Sequence, residues 1–265
     1  MEIEAVRPAA VAGRFYPGTA EALATQVEAL LSAATPRESE PRPKAAIVPH
    51  AGFIYSGPIA ASVFARIRPY KDQIRRVVLL GPAHRVACQG LVSPGARALM
   101  TPLGPVAVDL EALSLVPEVT PDPRAHAFEH SLEVQLPFIQ RALPQAAVVP
   151  MLVGQVAAGE VATVLDALYG GEETLILASS DLSHYLPYFE GRRVDQETAQ
   201  AILNLTPGFL DGDRACGYSG VRGLLEVAKA KRLSVRLLDL RSSGDTAGDK
   251  KEVVGYGAFG FYEPS

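Results

Sequence analysis

Three apolar runs in this chain end in a histidine. "AAIVP" (45–49) leads into His50, "RRVVLLG" (75–81) into the turn carrying His84, and "TLILASS" (174–180) into Asp181 and His184. Polar groups at the end of a buried strand must be hydrogen-bonded or put to use. In an open α/β sheet, ligands bind in the crevice beyond the carboxyl ends of the strands. One histidine at such a place is ordinarily a cap or a loop contact. Three of the chain's five histidines at equivalent strand ends point instead to a shared rim. Imidazole ligates metals and moves protons near neutral pH. Two imidazoles and one further donor make a metal site with open positions, as a catalytic ion requires. HExxH and Cys/His finger spacings are absent, so such a site has to be assembled from distant segments. Cys216, Asp181, Glu129 and His130 are the candidates for the third donor.

Cys216 lies in "RACGYSG", ahead of a predicted helix whose N-terminus would push the thiol toward thiolate. Cys88, in a predicted strand, reads as a small buried residue. Gly52 and Gly57 flank Tyr55 in "PHAGFIYSGPIAA" and permit close backbone approach, but neither GxGxxG nor a P-loop is present, so no nucleotide is assigned. Ser179 or Ser180 with His184 and Asp181 could suggest a hydrolase triad. The GxSxG elbow is missing, and three residues this close in one turn rarely form one.

The elements that must position these residues alternate between strand and helix. Helices are predicted at 19–34 (capped by Thr19), 58–68, 156–169, 190–205 and about 218–231. "EHSLEVQLPFIQRAL" (129–143) has a helical period, with Pro137 predicting a kink or a late start. Strands are predicted at 45–49, 75–81, 146–154 and 174–180, with two more in "SVRLLDLRSS" and "EVVGYGAFGFY" and short ones between 88 and 108. "TPRESEPRPK" (35–44) reads as a surface connector. This order predicts an α/β fold: one three-layer α/β/α domain over residues 1–265 around a mixed, largely parallel sheet.

Composition narrows the function classes. The net charge is −4 with a pI of about 5.8, and no face-forming basic run appears, so neither a nucleic acid nor a membrane surface is an expected partner. Two cysteines and no CxxC exclude a disulfide scaffold and predict reduced thiols in a cytoplasmic setting. The acidic start, broken by Pro and Gly, is not expected to be a signal peptide. No apolar run approaches the roughly 18 residues of a membrane span.

"RPAAVAGRFYPG", "VPHAGFIYSGPIAA", "LLGPAHR", "TPLGPVAVD", "EHSLEVQLPFIQ", "VPMLVG", "SSDLSHY" and "ACG" follow in this order, from Arg7 toward the C-terminal "GYGAF". In these blocks the chain resembles the Memo-like family, whose bacterial and archaeal members are the AmmeMemoRadiSam system B proteins. The resemblance implies a fold like that of class III extradiol dioxygenases. It implies a metal pocket held by His50, His84 and Cys216, with His184 in the place of an acid–base histidine and Asp181 beside it to orient it. Glu129, His130 and Tyr55 would then form the pocket wall. Ala83 stands where the family usually has Ser, and the ligand histidine remains.

A thiolate in place of the dioxygenases' carboxylate shifts preference toward iron in a redox site, copper or zinc. The expected cofactor is therefore a metal ion, Fe(II) first, with Cu or Zn as alternatives. The expected activity is that of an oxidoreductase-like enzyme acting on an unknown small molecule. A metal-holding or peptide-binding module serving radical SAM and AMMECR1-like proteins is the alternative, and a zinc hydrolase a weaker one. The oligomeric state is left open.

Overall fold

Neighbouring residues along the apolar strands belong to two different cores. In β1 (Ala45–Val48), Ala46 and Val48 pack to one side, Ala45 and Ile47 to the other. Every residue of β1 is buried, as a strand covered on both faces must be. The computed structural model describes residues 6–34 and 40–264. Positions 35–39 of the expected connector lie outside the described residues.

After β1 the strands are β2 (Arg76–Pro82), β3 (Leu91–Ser93), β4 (Ala98–Thr101), β5 (Gly104–Ala107) and β6 (Thr120–Pro121). β7 (Ala147–Val153), β8 (Thr174–Ser179), β9 (His184–Leu186), β10 (Ser234–Ser242) and β11 (Val253–Tyr262) follow. The main sheet runs β10-β11-β1-β8-β2-β7-β3-β6, and β9 pairs with β11. β1, β8, β2 and β7 are mutually parallel at its centre. β11 is antiparallel to β1 and β10, and β3 is antiparallel to β7. The sheet is mixed with a parallel heart, as the alternating order predicts. β4 and β5 form a separate hairpin.

Helices cover both faces. α1 (Ala20–Ala33), α2 (Phe53–Ile67) and α5 (Leu136–Ala142) bury Leu23, Val27, Ile59, Val63 and Phe138 against Val77, Leu79, Leu175 and Leu177. α6 (Ala158–Ala167), α7 (Tyr188–Leu203) and α8 (Tyr218–Ala230) bury Val161, Leu165, Ile202, Val221 and Leu224 against Val78, Leu80, Met151 and Ile176. Two short helices, α3 (Leu110–Ser114) and α4 (Pro123–Ala127), sit in the connections. The result is a three-layer α/β/α arrangement. Among the described residues, no helix is long and apolar enough to cross a membrane.

Two local expectations change, and the late helix start expected from Pro137 is found. The helix expected from Pro58 begins at Phe53, whose N–H donates to the Phe15 carbonyl at 2.7 Å. Pro58 is thus interior, and the carbonyl it cannot bond belongs to Ile54, an exposed residue that water can serve. The 129–143 segment starts its helix late, at Leu136 with Pro137 in the first turn, after one 3₁₀ turn at Glu133–Gln135. The Glu129 carboxylate takes the N–H groups of His130 and Ser131, which holds that stretch out of the helix. Thr19 occupies the N-cap position of α1, but its side chain makes no capping bond.

Candidate metal centre

β1, β2 and β8 are parallel and therefore end on the same side. They deliver His50, His84, Asp181 and His184 to one rim, as their spacing predicts. A cleft of about 950 Å³ opens there, lined by His50, Tyr55, His84, His130, Asp181 and His184 among others. Cys216 borders an adjoining cleft that shares His84 and His184. At the centre, one ring nitrogen from each of His50, His84 and His130 lies within 4.8 Å of the other two. No described residue outside these three belongs to a comparable group of potential metal ligands.

His50 is buried, with 1% of its surface exposed. Its backbone N–H donates to Asp181 Oδ1 at 2.7 Å. Its Nδ1 lies 2.9 Å from Ser179 Oγ, and its Nε2 lies 3.3 Å from Cys216 Sγ. Burial, followed by the neighbouring His84 and His130, drives its pKa well below the usual imidazole value, so the ring is neutral and able to ligate.

His84 and His130 are organised by Glu129. This carboxylate accepts from the backbone N–H groups of His84, Arg85, His130 and Ser131, and from His84 Nδ1 at 3.0 Å. Burial opposes its ionisation, but the His130 and His84 rings and the Ser131 N–H hold its carboxyl well below the usual range. His130 Nδ1 lies 3.2 Å from the same carboxylate. Three imidazole rings that bring one nitrogen each within 4.8 Å of the others are a donor set that fits a cation.

Cys216 precedes α8, as expected, and its N–H donates to the Asp181 carbonyl at 3.3 Å. Its thiol does not behave as the helix N-terminus alone predicts. Burial and then the Asp181 charge push it up to about 12, so the ion-free protein carries a thiol. A metal would displace that proton. The three-histidine group does not include Cys216, whose close imidazole contact is His50.

The Asp181 carboxylate supports the His50 backbone, and no hydrogen bond joins it to His184; the expected orienting contact is not formed. Burial raises its pKa. The turn carrying His184 is held instead by β11 and α7. Leu182 N–H donates to the Gly255 carbonyl at 2.8 Å, and Gly255 N–H to the Ser183 carbonyl at 2.9 Å. Asp195 of α7 accepts the Ser183 N–H at 3.0 Å. Gly255 has to be glycine, because a Cβ there would sit 2.0 Å from Asp195 Oδ2.

Burial raises the Asp195 pKa from 3.8 to about 6. Below that window both folded and unfolded chains hold the proton. Within it only the folded chain does, so stability falls as pH rises. Asp195→Asn should remove this loss. Denaturant melts at the two ends of the window should show the parent losing roughly 2–3 kcal/mol relative to the variant.

Several contributors were not singled out in the sequence. The Phe15 ring packs on His130, centroids 4.7 Å apart. Arg85 and Lys251 line the cleft. Gln135, fully buried, donates to the Pro49 carbonyl at 2.8 Å and to Ser179 Oγ at 2.9 Å. The available signal was the presence of Glu129, Glu133 and Gln135 in an otherwise apolar stretch, since buried polar side chains must find partners.

A sequence model described as "Memo-like protein" matches residues 7–259. The chain belongs to the Memo family. It is 38% identical over 267 residues to a MEMO1 family protein of Aquifex aeolicus, covering 95% of this chain and 97% of the relative. It is 37% identical over 268 residues to one from Methanosarcina acetivorans (96% and 98%), and 36% over 266 residues to one from Archaeoglobus fulgidus (95% and 97%). Family membership thus spans every segment that contributes to the rim, from Phe15 to Cys216 and Gly255.

Proposed function

We propose that this Memo-family chain is a metal-dependent, oxidoreductase-like enzyme of the cytoplasm, acting on a small molecule bound in the cleft above the histidines. The observation that carries the reading is the convergence of His50, His84 and His130, with nitrogens within 4.8 Å of one another. His50 and His84 hold the ion, Cys216 supplies the third donor implied by the family resemblance, and His130 stands beside them. Imidazole and thiolate donors together suit iron, copper or zinc, and the reading takes Fe(II) first. When bound, the ion would supply redox chemistry toward dioxygen or an oxygen-bearing substrate. Glu129 keeps the His84 and His130 loops in place, and Asp181 keeps the His50 backbone in place. His184, on the wall of both clefts, holds or delivers a proton at its ring.

Cobalt substitution tests the ligand set. Co(II)-loaded protein should show a thiolate-to-metal charge-transfer band that Cys216→Ser abolishes. Binding without that band would assign the ion to the three histidines alone.

A second reading, a metal-holding or peptide-binding module for radical SAM and AMMECR1-like partners, draws on one observation. Phe128 and Tyr185, 73% and 71% exposed, directly adjoin Glu129 and His184 in the chain and leave apolar rings at the surface there. Metal-dependent oxygen consumption that His184→Ala abolishes would favour the enzyme. A stable complex with such a partner, indifferent to His184→Ala, would favour the module.

A further inference from the structure

His50 has two ring nitrogens, and only a bare one can hold a metal ion or accept a proton. Which one is bare follows from the atoms behind the ring. Ser179 Oγ, at the carboxyl end of β8, has three neighbours: the Ser131 carbonyl at 2.6 Å, Gln135 Nε2 at 2.9 Å and His50 Nδ1 at 2.9 Å. A serine hydroxyl has one proton to give and two lone pairs. The Ser131 carbonyl can only accept, so it takes that proton. The Gln135 amide is a donor here, because the same Nε2 also faces the Pro49 carbonyl at 2.8 Å. The remaining lone pair faces His50 Nδ1, which must therefore carry hydrogen.

We propose that Ser179 is a positioning residue of the metal centre: its hydroxyl, committed to the Ser131 carbonyl and braced by Gln135, fixes His50 as the Nδ1–H tautomer and leaves Nε2 bare. Turning the hydroxyl toward His50 would take its proton from the Ser131 carbonyl in the protein interior, where an unpaired carbonyl is costly. The bare Nε2 is the nitrogen that lies 3.3 Å from Cys216 Sγ, so in the ion-free protein the thiol donates into it. Ser179 thus serves the chemistry of the site from behind the ring. The inference rests on the metal-centre reading for its purpose, but not for its measurement.

Long-range ¹⁵N–¹H correlation spectra of the metal-free full chain, recorded well above the imidazole titration range, test it. His50→Gln assigns the signals. In the parent, the His50 proton should be on Nδ1 and Nε2 should be bare. Ser179→Ala should move the proton to Nε2 or give a mixture. It should also weaken Co(II) binding by about 10–100-fold, the usual cost of losing an outer hydrogen bond to a metal-ligating histidine. Ser179→Thr, which keeps the hydroxyl, should restore both properties. A parent His50 protonated on Nε2 would overturn the proposal, and so would a folded Ser179→Ala protein with the parental tautomer and affinity. If Ser179→Ala does not fold, the parent spectrum alone decides. A parent that binds no Co(II) while showing the Nδ1–H tautomer would refute the metal reading and leave the tautomer assignment standing.

Discussion

Glu133→Ala is expected to cost the protein about 3–5 kcal/mol, the scale for breaking a buried ion pair by removing one partner. Glu133 is 1% exposed and pairs with Arg7, itself buried. Its two oxygens also accept the Ala10 N–H at 2.8 Å, the Val11 N–H at 2.9 Å and the Tyr16 hydroxyl at 2.6 Å. Arg7 in turn donates to the carbonyls of His126 and Glu129. Alanine would leave the Arg7 guanidinium buried without its counter-charge, and the Ala10 and Val11 N–H groups and the Tyr16 hydroxyl without their acceptor. The effect should extend beyond stability. The segment pinned by Glu133 carries Phe15, whose ring packs on His130 and whose carbonyl accepts from the first residue of α2. Denaturant melts of Glu133→Ala and Arg7→Met should show both as destabilised. Arg7→Met should be the milder, because its methylene stem is partly retained. A Glu133→Ala cost below about 1 kcal/mol, the range of exposed pairs, would contradict this account.

Glu129→Gln should weaken metal binding by about 10–100-fold although it is isosteric. The two carboxylate oxygens have separate tasks. Oε1 accepts from His84 Nδ1 and from the His130 and Ser131 N–H groups, while Oε2 accepts from the His84 and Arg85 N–H groups. A carboxamide has one accepting oxygen, so its NH₂ must face N–H donors on one side or the other. The His84 loop or the His130 loop is then released, and the imidazole it carries loses its place. Isothermal titration with Zn(II) or Co(II), beside a melting curve to confirm folding, reads the effect. Parental affinity in a folded Glu129→Gln protein would show that Glu129 does not organise the site.

The rim was legible in the sequence because the parallel strands share one direction. An apolar run ending in a histidine places that histidine at the carboxyl edge, and three such runs gave His50, His84 and His184. His130 was less legible as a member of the central group. It lies on an irregular loop between α4 and the 3₁₀ turn, and its approach depends on Arg7 and Glu133, which are 126 residues apart in the chain. Local periodicity does not encode such a pairing. In the sequence Ser179 is a hydroxyl near His184, but its partner in the structure is His50, 129 positions away. Cys216 was found at its helix start, yet the direction of its thiol pKa depends on burial and the Asp181 charge, neither of which the flanking residues reveal. The early start of α2 is not encoded locally for a related reason. Phe53 is anchored by the Phe15 carbonyl, and that long-range bond overrides the boundary suggested by Pro58.

Metal analysis of anaerobically purified protein decides whether His50, His84 and His130 mark a metal centre. The parent should be measured beside His50→Ala, His84→Ala, His130→Ala and Cys216→Ala, each as purified and after titration with Fe(II), Cu(I) and Zn(II). A metal centre here requires close to one ion per parent chain, lost in His50→Ala and His84→Ala, with His130→Ala and Cys216→Ala ranking the remaining donors. A parent that neither retains nor takes up any of these ions would rule it out.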